Sequence, residues 1–318
     1  MKDIMADSDQ IKTVSIVIPV YYNEESLPLL EEKLATLEQD IVQKGLKLEL
    51  VFVDDGSGDN SFQRLMEIKE LRPETQIIKL TRNFGAVAAS KTGMGFAKGD
   101  CVILVAADLQ DPIEVVINMI DQWREGHRFV ICTRKTREDP MLSKLLSAIY
   151  YRVVRSLIIK NYPIGGFDMM LLDRQLAENV ANCAPNTNIH LYAYWLGSKP
   201  VTLEYERPKR PFGKSRWTMA KRLKLLSDTM TGFSVLPLRL LSVFGLIVAI
   251  GSFVYGLVIF ISALFGNFNV AGFATIAVLI SFFFGLVLVM LGLIGEYVWR
   301  IFDNTTRKPE SVIDSTYV

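Results

Sequence analysis

Cys101-Val102-Ile103-Leu104-Val105-Ala106-Ala107-Asp108-Leu109-Gln110-Asp111-Pro112 joins an unbroken apolar run to a pair of carboxylates. A short run with no polar residue reads as a strand buried on both faces, as in a parallel sheet. The carboxyl ends of such strands border the crevice where open α/β sheets take their ligands. Asp108 and Asp111 therefore place hard oxygen donors beside a crevice. Groups of that kind suit Mg²⁺ or Mn²⁺ brought in by a diphosphate. Asp111-Pro112 has a second reading, as the cap and first residue of the next helix. Asp108 has no such use.

Outward from this junction the chain alternates. Strands are expected over 14–20, 48–53, 76–80 and 129–132, with helices over 24–44, 61–71, 86–97 and 115–125. Strand–helix alternation implies right-handed βαβ units and a mostly parallel, Rossmann-like α/β sheet. A dinucleotide cradle needs Gly-x-Gly-x-x-Gly after the first strand. The turn here is Pro19-Val20-Tyr21-Tyr22-Asn23-Glu24, which has no glycine. Parallel strands end on one edge, which would gather Asn23, Glu24, Asp54, Asp55, Arg82, Asn83 and Asp108 to Asp111. One polar strand end is ordinary capping; four together suggest a polar ligand. An acidic rim repels a diphosphate, so basic partners are needed. Arg134 and Arg137 follow the 129–132 strand, and Arg207, Lys209, Arg210, Lys214 and Arg216 cluster before Trp217. Arginine is suited to bidentate phosphate contacts.

The C-terminal third is of another kind. Half of the 318 residues are hydrophobic, yet the segment from Leu240 to Gly295 has no Asp, Glu, Lys or Arg. A span needs about 20 apolar residues, so two are expected, near 234–264 and 271–297, joined at Gly266-Asn267-Phe268-Asn269. Lys221, Arg222, Lys224 and Arg239 precede the pair, and Arg300, Arg307 and Lys308 follow it. The positive-inside rule then puts both termini in the cytoplasm. The polar first ten residues, with three Asp, give no signal-peptide pattern. Cys101, Cys132 and Cys183 have neither metal nor disulfide spacing. A net charge of +1 gives no basic field, and no nucleic-acid partner is expected.

Segment 140–160 sets Leu142, Leu145, Leu146, Ile149, Val153 and Leu157 at helical spacing, with Lys144, Arg152 and Arg155 outside the stripe. Segment 217–233 is a second amphipathic candidate. Each reads either as a helix lying on a membrane or as a core helix.

Three motifs, Ile18-Pro19-Val20-Tyr21-Tyr22-Asn23-Glu24-Glu25, Val53-Asp54-Asp55-Gly56-Ser57 and Asp108-Leu109-Gln110-Asp111-Pro112, resemble in order and spacing those of glycosyltransferase family two, which has the GT-A fold. Arg210-Pro211-Phe212-Gly213-Lys214-Ser215-Arg216-Trp217 is similar to that family's phosphate-closing segment. With two C-terminal spans, the chain resembles the polyprenyl-phosphate glycosyltransferases of the bactoprenol glucosyltransferase (GtrB) type, and is similar to dolichol-phosphate mannose synthase. The Gln-x-x-Arg-Trp motif of processive synthases is missing, with Gly213 in place of the Gln.

The resemblance implies roles. Pro19, Tyr21 and Glu24 would line the nucleotide pocket, and Asp54, with Asp55 near it, would contact the base. Asp108 would bind Mg²⁺ or Mn²⁺, and Gln110 would serve the diphosphate-sugar. Arg134 and Arg137 would flank the sugar-phosphate, and Arg210, Ser215 and Arg216 would close over the phosphates. Apart from these, Asp168, in Gly165-Gly166-Phe167-Asp168-Met169-Met170, reads either as the group that orients the acceptor or acts as its base, or as a turn-stabilising Asp after two glycines. The family's usual Asp-x-Asp has Ala106 at its first position here, so the metal site has one carboxylate fewer. The implied reaction is inverting, metal-dependent transfer of a sugar from a nucleotide-sugar donor, UDP-glucose first, to membrane polyprenyl (undecaprenyl) phosphate. Another donor sugar, or a non-catalytic nucleotide-sugar binder, remains an alternative. The implied layout is a cytoplasmic catalytic domain over 1–216, a juxtamembrane helix over 217–233, a transmembrane hairpin over 234–300 and a cytoplasmic tail over 301–318, loosely ordered after Arg307, set in the inner (cell) membrane as a homo-oligomer.

Overall fold

The computed structural model describes residues 11–135, 141–208, 211–212, 219–265, 272–306 and 308–318. The chain divides into two units, Met1–Leu225 with Pro309–Val318, and Leu226–Lys308.

The first unit is built on an eight-stranded sheet. Its strands are β1 (Thr13–Val20), β2 (Lys47–Asp54), β3 (Gln76–Leu80), β4 (Cys101–Leu104), β5 (Phe129–Arg134), β6 (Met169–Asp173), β7 (Val201–Tyr205) and β8 (Ile313–Tyr317), in the order β7-β5-β6-β4-β1-β2-β3-β8. The β1–β2, β1–β4, β2–β3 and β5–β7 pairings are parallel. The helices of the first half are α1 (Leu27–Gln43), α2 (Ser61–Leu71), α3 (Ala86–Phe96) and α4 (Ile113–Arg124). Leu27, Leu30, Leu34, Leu37 and Ile41 recur at helical spacing and form the buried face of α1. They pack on a core that includes Ile16, Ile18, Leu50, Phe52 and Ile103. In α3, a Cβ at Gly93 would lie 2.4 Å from Val17 Cγ1, so the glycine lets the helix sit close on the sheet.

Five strands and four helices of the alternating half stand where the hydrophobic pattern places them. The remainder departs from it. The sheet is mixed, because β6 runs antiparallel to both β4 and β5, and β6 and β7 carry no strand expectation from the sequence. The tail is not loosely ordered: β8 pairs antiparallel with β3, Ile77 opposite Tyr317 and Leu80 opposite Ile313. Three further helices, α5 (Met141–Leu157), α6 (Arg174–Ala181) and α7 (Ile189–Trp195), complete the unit, and α8 (Met219–Phe233) follows.

The second unit contains α9 (Leu236–Leu264) and α10 (Phe273–Thr305). Within them, Leu236–Ser262 and Phe282–Thr305 are long and apolar enough to cross a membrane, with mean hydropathy 2.5 and 2.0. Their apolar side chains are not covered by the chain: Phe253 is 73% and Val289 66% exposed. An uncovered apolar surface of that extent marks a lipid or protein partner rather than a soluble core. Near the polar end of α10, Arg300 pairs with Asp228 of α8 at 2.5 Å and with Glu296 at 3.6 Å.

Candidate active site

Since β6 is antiparallel to β4 and β5, its start lies on the same sheet edge as the ends of β1, β2, β3, β4, β5 and β7. The edge therefore brings together Tyr21 to Glu24, Asp54 and Asp55, Arg82 and Asn83, Asp108 to Asp111, Asp168, Arg134, and Arg207. Arg137, Arg210, Ser215 and Arg216 lie outside the described residues.

The β1–β3 side is a network of backbone amides and carboxylates. Asp54 is fully buried; its Oδ1 accepts from Ser57 N at 3.2 Å, and its Oδ2 has no partner. Asp55 is used differently, accepting from Phe84 N at 2.7 Å, Gly85 N at 2.9 Å and Asn83 Nδ2 at 2.8 Å. Burial raises both carboxyls above their ordinary range, against hydrogen bonds that lower them. Gly56 has φ +67° and a Cβ there would lie 2.5 Å from the Arg82 carbonyl carbon, so the turn after Asp55 fits against the 82–83 backbone only as glycine. Glu24 accepts from Asn60 N at 2.8 Å and so ties the end of β1 to the start of α2. Pro19 stands opposite Val53 in the β1–β2 ladder. The Tyr21 ring packs edge-on against Tyr22 at 4.7 Å, and Tyr22 takes a positive φ of 55°.

At the end of β4 the chain turns through Leu109, buried with φ +62°. A left-handed conformation at a bulky residue is a strained feature of the kind that clusters at functional sites. Asp108 Oδ1 accepts from Gln110 N at 3.2 Å, and the Gln110 side chain reaches Pro208 O at 3.3 Å. Asp111 does not cap α4, whose N-cap is Pro112 without a side-chain bond. Its Oδ2 instead accepts from Ala106 N at 2.7 Å and closes the 106–111 loop. Burial pushes its carboxyl up to about 7, against the lowering effect of the Ala106 bond. Among the described residues no three His, Cys, Asp or Glu side chains are grouped to hold a metal. Asp108 supplies one hard donor, which fits an ion that keeps waters and binds substrate phosphates rather than one caged by protein.

The β5–β7 side is cationic. Asp168 is held by Arg134 through Nε and, at 2.6 Å, Nη2. Tyr205 OH donates to it at 3.1 Å, and Arg207 stands 3.9 Å away. Burial raises the Asp168 carboxyl, but the Arg134 bonds and charge, the Arg207 charge and the Tyr205 hydroxyl outweigh it and hold it below its ordinary range. His190 Nε2 lies 3.3 Å from Asp168 O, and burial lowers its pKa. Tyr205 and His190 belong to this cluster only through β7 and α7, and no local sequence signal marks them. Beside the cluster, a cavity of about 1120 Å³ is lined by Arg134, Lys135, Arg152, Arg155 and Lys160 and by apolar groups such as Leu157 and Ile164. Among the described residues of the α5 stripe, Ile149 and Leu157 are exposed, while Val154 is buried. Leu146 and Val153 of the stripe are half-buried.

Residues 15–180 match the family model described as Glycosyl transferase family 2. Over 314 residues the chain is 33% identical to an undecaprenyl-phosphate 4-deoxy-4-formamido-L-arabinose transferase of Photorhabdus laumondii, covering 96% of this chain and 94% of the relative. It is 31% identical over 304 residues to a prophage bactoprenol glucosyl transferase homolog of Escherichia coli, covering 94% and 98%. Glucosyl-3-phosphoglycerate synthase of Mycobacterium tuberculosis, solved with Mn²⁺, UDP-glucose and phosphoglyceric acid, superposes with a TM-score of 0.50 at 14% identity over 69% of this chain and 79% of that one. That likeness establishes the shared fold.

Proposed function

The chain belongs to glycosyl transferase family 2, and on that premise we propose that it moves a sugar, glucose from UDP-glucose first, onto a polyprenyl monophosphate held in a membrane. The observation that carries the acceptor assignment is the cavity beside Arg134, where five cationic side chains share one wall with exposed apolar residues. Among the described residues no salt bridge occupies Lys135, Arg152, Arg155 or Lys160. A phosphate monoester on a hydrocarbon chain matches that lining at both ends. The names of the two curated relatives, which act on undecaprenyl phosphate and bactoprenol, support the same class.

The donor lies on the acidic side. Asp54, with its unpartnered buried oxygen, receives an N–H of the base, while Pro19, Tyr21 and Glu24 wall the pocket. Asp108 would hold Mg²⁺ or Mn²⁺, with Gln110 serving the diphosphate-sugar, and the ion would neutralise charge on the departing diphosphate. Arg134 would do the same from the protein, alongside Arg137, Arg210 and Arg216 from the segments outside the described residues, with Ser215 donating a hydrogen bond. An acceptor phosphate oxygen bonds to the anomeric carbon as the bond from that carbon to the nucleoside diphosphate breaks, with inversion. The nucleophile is already anionic, since a phosphate monoester has a second pKa of about 6. Asp168, ionised and held by Arg134 and Tyr205, orients Arg134 and the acceptor rather than taking a proton. The layout is that of a multi-pass inner-membrane enzyme with its catalytic unit and both ends in the cytoplasm.

Purified protein with labelled nucleotide sugars, Mg²⁺ or Mn²⁺ and polyprenyl phosphate tests this directly. Label from UDP-glucose should pass into the organic phase. Transfer from an amino-sugar nucleotide alone would place the enzyme with its formamido-arabinose relative. No label from any donor would refute the assignment.

A further inference from the structure

The tail Pro309–Val318 returns to the catalytic unit and attaches on both sides of the 81–85 loop. On one side, Thr81 N donates to Val312 O at 3.0 Å, directly after the β3–β8 ladder. On the other, α3 is gripped through two consecutive residues. Lys91, 6% exposed, pairs with Glu310 and donates to Cys183 O at 2.5 Å, while Thr92 Oγ1 lies 2.7 Å from Ser311 Oγ. Tyr317 adds a ring contact to Phe62 at 5.7 Å. Between these two anchors stand Asn83, Phe84 and Gly85, the three residues that bind the Asp55 carboxylate, and Arg82, whose backbone abuts Gly56.

We propose that the C-terminal strand is a positioning strap for the nucleotide pocket, fixing the 81–85 loop from both ends so that Asp54 and Asp55 are held in register for the donor. The proposal rests on the reading of that edge as the donor site. The physical basis is entropy. A loop clamped at both ends by a sheet ladder and a buried ion pair loses its freedom during folding rather than during binding, so that ordering cost is absent from the affinity. Lys91 and Glu310 are positioning residues; neither touches the donor.

Full-length protein is compared with a chain ending at Lys308 and with a Glu310→Gln, Ser311→Ala variant that keeps the strand. Hydrogen exchange is read at the Phe84 and Gly85 amides, and affinity is measured with UDP and Mn²⁺. Truncation should speed exchange at both amides and raise the donor KM about tenfold, the equivalent of one charge-assisted hydrogen bond. kcat and the polyprenyl-phosphate KM should stay within about twofold, since the acceptor side is untouched. The double variant should shift the same two readouts less. A peptide of the last ten residues, PESVIDSTYV, added to the truncated protein should restore donor affinity by pairing with the open edge of β3. Unchanged exchange, or an unchanged donor KM, overturns the strap. So does a joint fall in kcat, both KM values and melting temperature that the peptide does not rescue, because that is a general loss of structure. Faster exchange in a protein whose full-length form binds no nucleotide overturns the donor-site reading and leaves the hold on the loop established.

Discussion

Replacing Asp168 by Asn separates two roles that its position allows. The carboxylate takes two bonds from Arg134 and one from Tyr205, with Arg207 at 3.9 Å. Asn keeps the shape but leaves two guanidinium groups without their counter-charge. Breaking a fully buried pair costs about 3–5 kcal/mol. Here the Asp168 and Arg134 side chains are 27% and 19% exposed, so solvent reduces the loss to about 2–3 kcal/mol. In a domain of this size that lowers the melting temperature by about 5–10 °C.

The pH dependence follows from the direction of the shift. The Asp168 carboxyl is held below its ordinary 3.8 in the folded state. Its contribution to stability is therefore present above the unfolded value and is lost as pH falls through the lower folded one. The gap between wild type and Asp168→Asn should be flat from about pH 5 to 8 and close only below about pH 4. Over the same range Asp168 cannot give an activity limb, because it is already ionised. The acid limb belongs to the acceptor phosphate, near its second pKa of about 6. Asp168→Asn should therefore lower kcat/KM by about 10²-fold through misplaced groups while keeping a limb at about pH 6. Calorimetry and a pH–rate series check both halves. A variant that melts like wild type, or one whose acid limb has vanished, would refute the reasoning.

Asp108→Ala should abolish transfer to polyprenyl phosphate; wild-type turnover would remove its metal role. Because Asp108 is the one carboxylate assigned to the ion, calorimetric titration should show weak Mn²⁺ binding to protein alone and tighter binding with UDP present, and a chelator should stop turnover until the ion is restored. Gly56→Ala should destabilise the catalytic unit by at least about 1 kcal/mol for the positive φ alone, with more from the contact at Arg82; denaturant melts read this, and a neutral result would contradict the backbone packing. Charge reversal at Arg152 and Arg155 should raise the KM for polyprenyl phosphate at least tenfold and leave UDP affinity unchanged, if the cavity wall they line receives the lipid phosphate.

What the sequence made legible divides along physical lines. Strands buried on both faces, such as Val102–Leu104, write themselves as apolar runs, and the charge-free stretch after Leu240 reads as two candidate membrane spans. The edge motifs carried Asp54, Asp55 and Asp108 to one place, while Asp168 joins them only through β6. The strands that escaped did so for different reasons. β6 reads Met-Met-Leu-Leu-Asp and is as apolar as its neighbours, but nothing local reveals that it enters antiparallel. β8 reads Ile-Asp-Ser-Thr-Tyr and has no buried face of its own; its existence depends on β3 offering an open edge, a tertiary fact. Asp111 looked like a cap because Asp-Pro usually is one. Its Oδ2 instead accepts from Ala106 N across the loop that holds Leu109 at positive φ.

The strand order turns these residues into a reaction geometry. Neighbouring strands lie about 4.8 Å apart. From β2, with Asp54, across β1 to β4, with Asp108, is two spacings, about 10 Å. That is the order of distance separating the base of a nucleotide from its second phosphate. Two further spacings, across β6 to β5, reach Arg134 and the cationic cavity. In the proposed reaction a donor laid from β2 to β4 would present its sugar toward the start of β6, where Asp168 fixes the Arg134 guanidinium, and the acceptor phosphate would approach from the β5 side. The antiparallel entry of β6 is what allows this. A parallel strand there would put Asp168 on the opposite edge of the sheet, and Arg134 would face the leaving diphosphate without a counter-charge to hold it in place.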